Sequence, residues 1–186
     1  NLFSMQTDLF NSVGSSPQIF SGLAYSDCWL AAAYFVGKSH NKAIDYQIKA
    51  LPLCRFDKNL FAETYRGLLL SLAHTGRVRD TIETKEKIYT LLENEIDDPV
   101  DIDSLRCAIA EAKMLIGENG AKEVLAEVER SIYKSNRFLP LKRIQYHKTR
   151  LFIAINDLKE NRKIDRKLMR QFTKEGFSLA QLYGFE

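Results

Sequence analysis

The stretch Tyr65-Arg66-Gly67-Leu68-Leu69-Leu70-Ser71-Leu72-Ala73-His74-Thr75-Gly76 decides the fold class. Its Tyr65, Leu68, Leu69 and Leu72 recur at three- and four-residue spacing, which places them on one face of a helix, and Thr75-Gly76 supplies a C-terminal stop. The same spacing runs through most of the chain and strand-type alternation is almost absent, so an all-α protein is expected. Outward from this stretch, helices are expected over about 3–12, 17–37, 41–53, 58–75, 79–94, 101–116, 121–135, 140–158 and 161–174. Ser16-Pro17 gives an N-cap followed by Pro at the first helical position, Pro52 and Arg55-Phe56-Asp57 break the chain ahead of residue 58, and Pro140 sits where an N1 proline belongs. Glu93 to Asp103 holds six acids, no base and Pro99, and is expected to be a solvated loop. Short connections between these helices imply antiparallel neighbours, hence stacked helical hairpins.

The chain has 186 residues, 45% hydrophobic and 27% charged, enough to bury a sizeable core without disulfides or a structural metal. No stretch approaches the roughly 18 apolar residues of a membrane span, and no basic stretch precedes an apolar one at the amino end, so a soluble, unexported, cytoplasmic domain without a membrane partner is expected. The start at Asn1 leads us to expect a fragment of a larger protein or a processed chain. Cys28, Cys54 and Cys107 are odd in number and form no C-x-x-C pair, which speaks against a disulfide framework or a zinc site; neither a metal nor a cofactor is expected.

Three hairpins align when Ala43, Thr81 and Ala121 are laid beneath one another, at spacings of 38 and 40 residues. Leu30-Ala31-x-x-Tyr34 precedes the first, Tyr65-x-x-Leu68-Leu69-x-x-Leu72 the second, and Leu105-x-x-Ala108-Ile109-x-x-Ala112 the third. Small residues belong where two helices of a hairpin cross closely. The pattern resembles the tetratricopeptide family, most clearly in Ala43-Ile44-Asp45-Tyr46-Gln47-Ile48-Lys49-Ala50-Leu51, which looks like the second helix of such a repeat. The departures are Asp27 in place of Trp, Thr81 in place of Ala, Gln47 and Lys85 at the large apolar position, and a period longer than the usual ~34 residues. The resemblance covers about residues 24–135, with 136–186 as basic capping helices of one domain spanning 1–186. It implies a TPR-like right-handed α-solenoid whose concave face holds a peptide or a partner's helix. Longer-period repeats of this kind resemble the sensor regions of bacterial regulators that bind small signalling peptides. A non-repeating helical bundle is the alternative.

On that alignment the groove face comprises Tyr25, Cys28, Ala32 and Phe35 in the first hairpin, Glu63, Arg66, Leu70 and His74 in the second, and Asp103, Arg106, Ala110 and Lys113 in the third. Arg66 and Arg106 occupy matching positions, and with Lys113 they are candidates to hold a carboxylate, because a guanidinium offers paired donors. The alternative is surface charges paired with Glu63 or Asp103. Tyr25, Arg66, His74, Arg106 and Lys113 are thus the candidate peptide- or partner-binding residues.

Charge is uneven. Residues 134–186 carry 13 Lys or Arg against five acids, a net +8, while residues 1–133 carry a net −5. Arg162, Arg166 and Arg170 recur every four residues and would form a basic stripe, a candidate contact for nucleic acid. Solvated helix faces, or docking onto the acidic 93–103 segment of a second copy in a homodimer, are the competing readings.

Catalytic signatures are few. Ala32-x-x-x-x-Gly37-Lys38-Ser39 echoes a phosphate-binding loop, but it falls inside an expected helix, where Gly37 is a C-terminal stop. His40, His74 and His147 lack ligand spacing and read as an exposed turn residue, a last-turn residue and part of the basic face. Pairs such as Glu83 with Glu86 and Glu123 with Glu127 have surface spacing, and Cys28 and Cys107 lie in apolar stretches. A binding module that recognises a peptide or protein is therefore expected, rather than an enzyme, as the sensor or assembly part of a larger regulator.

Overall fold

The computed structural model describes residues 17–134 and 140–159, with the isolated positions 170, 173, 174, 177, 178 and 181. Over these residues the protein is all-α, with helices α1 (Pro17–Val36), α2 (His40–Ala50), α3 (Lys58–His74), α4 (Val78–Asn94), α5 (Pro99–Leu115), α6 (Ala121–Lys134) and α7 (Pro140–Lys159), and no strand. The helix expected at 3–12 and most of that at 161–174 lie outside the described residues. The chain divides into two compact units, Asn1–Asp101 and Ile102–Glu186.

One turn recurs. At the end of α1 the Ser39 N–H donates to the Tyr34 carbonyl at 2.8 Å and the Lys38 N–H to that of Phe35 at 3.0 Å. The same pair of bonds closes α3, from Arg77 to Leu72 and from Gly76 to Ala73, and α5, from Glu118 to Lys113 and from Gly117 to Met114. This is the Schellman arrangement, which satisfies the last carbonyls and turns the chain through a left-handed residue. That residue is Gly76 (φ 71°) after α3 and Gly117 (φ 73°) after α5, but Lys38 (φ 58°) after α1. The resemblance of residues 32–39 to a phosphate loop ends here, because the N–H groups of Gly37, Lys38 and Ser39 are all bonded to carbonyls of α1.

In the first unit α1 packs on α2, α2 on α3 and α3 on α4, and α1 also touches α3. Ala43 and Thr81, each the fourth residue of the second helix of its hairpin, are fully buried. Ile44, Leu68 and Leu72 join α2 to α3. Asp57 caps α3, its Oδ1 accepting the N–H groups of Asn59 and Leu60 at 3.0 Å. In the second unit Leu125 and Val128 of α6 pack with Tyr146 and Ile153 of α7 and with Cys107 and Ala110 of α5.

The acidic segment departs from expectation. α4 continues to Asn94 and α5 begins at Pro99, so only residues 95–98 connect them. Asp98 is the cap, accepting the N–H of Val100 at 2.6 Å and of Asp101 at 3.3 Å, and Pro99 stands at N1, where proline starts a helix. Acidic side chains in a first turn also suit the helix dipole. Asp101 and Asp103 are buried, not solvated.

Two outcomes follow. Replacing Lys38 by Gly removes the cost of a left-handed β-carbon, so Lys38→Gly is expected to raise the unfolding free energy in urea by about 1 kcal/mol. Burial, reinforced by the Asp98, Glu63 and Asp57 carboxylates, pushes the Asp101 carboxyl up to about 6. It therefore holds its proton more tightly folded than unfolded, where the value is near ~3.9, and favours folding below about 4 while losing that contribution as pH rises through about 6. Asp101→Asn should gain on the wild type, in urea midpoint, between pH 4 and pH 7; a pH-independent difference would contradict this assignment.

Candidate functional site

α1 is apolar on nearly every side. Its single charged residue, Asp27, is buried, while Trp29 is 62% and Val36 81% exposed. A helix without a polar face is normally covered all round. Here it forms one wall of a groove of about 360 Å³, within the size range of ligand pockets. α1 contributes Tyr25, Cys28, Trp29, Ala32, Phe35 and Val36; α3 contributes Leu60, Glu63, Thr64, Arg66, Gly67 and Leu70; Gln47 reaches in from α2. The groove face read from the sequence for the first two hairpins is assembled here, save His74. That ring lies beside it, 5.7 Å from Phe35 and stacked on His40 at 4.8 Å, so His40 is a half-buried helix-start residue and not an exposed turn. Arg106 and Lys113 belong to the second unit.

The groove's polar side chains on α1 and α3 have partners of their own. The Tyr25 hydroxyl donates to Asp57 Oδ2 at 2.6 Å, which raises the phenol and holds the Asp57 carboxyl below its ordinary value. Thr64 gives its hydroxyl proton to the Leu60 carbonyl at 2.7 Å, leaving its lone pairs for the thiols of Cys28 at 3.1 Å and Cys54 at 3.7 Å. Burial pushes the Cys28 thiol up to about 11. Arg66 turns Nε and Nη2 onto Glu63 Oε2 at 2.8 and 2.7 Å. It enters the groove as half of a neutral pair. Arg106 lies 4.0 Å from Asp103 and 3.6 Å from Glu127, and Lys113 is bonded to Glu118 at 2.7 Å and to the Asn119 carbonyl at 3.0 Å. Each cation nominated to receive a carboxylate thus has an acid of its own chain.

Sequence reasoning nominated neither Gln47 nor Gly67 for the groove. Gln47 is 4% exposed, and its Oε1 is buried with no hydrogen-bond partner among the described residues. Its amide crosses to α3 at Gly67, where an added Cβ would stand 2.5 Å from Nε2. Glycine within a helix costs about 1 kcal/mol relative to alanine, and here it makes room for the amide. The signal was present: Gln47 occupies a place where the repeat pattern wants a large apolar residue, and Gly67 is a glycine inside a stretch of helical spacing. Trp29 and Val36 were legible only as members of a helix with a single charged residue.

Arg162 and Arg166 lie outside the described residues, and Arg170 is an exposed helical position. His147 is not on a basic face: it is buried, edge-on to the Tyr146 ring at 5.3 Å, because that side of α7 packs inward. Arg150 is bonded to Glu129 at 3.2 Å. Among the described residues no three His, Cys, Asp or Glu side chains are grouped to hold a metal, and no helix is long and apolar enough to cross a membrane.

With its thiol at about 11, Cys28 should be alkylated slowly by iodoacetamide at pH 7, with a rate rising about tenfold per pH unit from pH 7 to 9. Mass analysis of the native protein against Cys28→Ser checks this. Comparisons of the chain with protein-family models, with characterised proteins and with solved structures found no match.

Proposed function

We propose that the chain is a protein- or peptide-binding module, the sensor or assembly part of a larger cytoplasmic regulatory protein, built as a tetratricopeptide-like right-handed stack of helical hairpins. The observation that carries this reading is the groove of the first unit, whose α1 wall is uncharged and whose largest side chain, Trp29, stands mostly in solvent. A large exposed apolar surface of this kind marks an interaction site more often than a solvated one. The stack is supported by the recurrence of one turn at Lys38, Gly76 and Gly117 and by the contact between α1 and α3, the first helices of successive hairpins.

The groove suits holding better than chemistry. A group that transfers protons works best near the operating pH. Here the Tyr25 phenol and the Cys28 thiol are raised, and Glu63 is neutralised by Arg66. The same pairing favours an uncharged, apolar segment over an acidic one.

Trp29 is the single tryptophan of the chain, so its emission reports on the groove alone. The full chain is to be panned against a random dodecapeptide library, and the retained peptides titrated while Trp29 emission is followed. Retention of apolar sequences is expected. Ala32→Glu, which places a charge on the exposed wall, should weaken them roughly tenfold or more, about 1.4 kcal/mol, whereas Ala33→Glu, exposed but outside the groove lining, should not. Binding indifferent to Ala32→Glu, or a native mass showing only a dimer that buries Trp29, would overturn the peptide reading.

A further inference from the structure

The groove floor combines two choices that each weaken the fold. Gln47 buries a primary amide and leaves Oε1 without a partner among the described residues. Gly67, within α3, gives up a side chain so that this amide can lie across the helix. An apolar residue at 47 above an alanine at 67 would fill the same space without either penalty. Departures from local rules that coincide at one place in a cavity are the mark of a functional position.

We propose that Oε1 of Gln47 accepts a hydrogen bond from a main-chain N–H of a bound, uncharged peptide segment, whose adjacent apolar side chain lies between Trp29 and Leu70. The ligand class follows from what the cavity offers. Its walls are apolar and its one ion pair, Arg66 with Glu63, is self-neutralised, so a phosphate or carboxylate finds no free cation among the lining residues. A peptide unit is an uncharged polar group flanked by side chains, and it matches an isolated amide set among apolar walls. The terminal torsion of glutamine is broad and nearly two-fold, so rotation of the amide can turn Oε1 towards the groove while Nε2 leaves Gly67. Gln47 is thereby a specificity residue: it distinguishes a peptide backbone from a purely apolar ligand of the same shape.

This inference rests on the peptide reading above, and the experiment separates the two. Dodecapeptides retained on the full chain are resynthesised with each backbone amide in turn replaced by an ester, which removes one N–H and little else. Binding is followed by Trp29 emission in the wild type and in Gln47→Met, which keeps the length of the side chain and loses its amide. One ester position is expected to cost about tenfold in the wild type and nothing in Gln47→Met. Thermal unfolding of Gln47→Met should come at no lower a temperature than that of the wild type, because the buried carbonyl oxygen is gone; Gln47→Leu serves as a second variant if methionine disturbs the fold. An ester scan unaffected by residue 47, with Ala32→Glu still blocking binding, would overturn the role of Gln47 and leave the groove reading standing. Failure to retain any peptide would overturn both.

Discussion

The wedging of α2 between α1 and α3 governs the first unit. α2 packs on both, and it does so with small residues where the approach is tightest: Ala43 and Ala50 are completely buried. Ile44 then reaches Leu68 and Leu72 on α3. α1 and α3 also touch, and the groove is lined by both with Gln47 of α2 reaching in. A longer side chain at 43 or 50 would force the helices apart in a densely packed interior, where an added methylene is already felt.

Most of this was legible because helices announce themselves by period and by their ends. The boundaries read from Ser16-Pro17, Asp57, Thr75-Gly76, Asn119-Gly120 and Pro140 fall close to the observed ones, since proline and glycine act through their own backbone restrictions and need no tertiary partner. Lys38 was not legible as the left-handed residue, because a glycine stands next to it and is the better candidate on local grounds. The acidic run was misjudged for a related reason. Six carboxylates in eleven residues look solvated, yet Asp98-Pro99 is a cap followed by an N1 proline, and the helix it starts carries Asp101 and Asp103 inward. A sum of charge does not say which side of a helix the charges occupy.

The groove was half legible. Its wall residues followed from spacing alone, because positions three and four apart share a face. The role of its charges did not. Glu63 with Arg66 and Asp103 with Arg106 are separated by three residues, the spacing at which helical side chains meet, so an internal pair and a ligand-binding arginine have the same signature in sequence. What decides between them is which direction the guanidinium faces. In the structure it faces its own carboxylate, and the inference moves from an acidic ligand to a neutral one.

Several costly local choices gather on the segment of the first three helices. Lys38 in a left-handed conformation, the Gln47 Oε1 without a partner among the described residues, Gly67 within a helix, and the exposed Trp29 and Val36 all fall there. α4 buries Thr81, Ile88 and Leu91 and sets Arg79 against Glu83 at the spacing that stabilises a free helix, but it too buries a charge, Lys85, and exposes Val78 and Ile82. At the groove, the Gln47 carbonyl oxygen and Gly67 are costs that packing alone does not require. On the peptide reading the offset is mass action: a ligand that binds only the folded unit adds its binding free energy to folding. The apolar wall and the amide would be satisfied together by the same ligand, so neither feature needs a separate account.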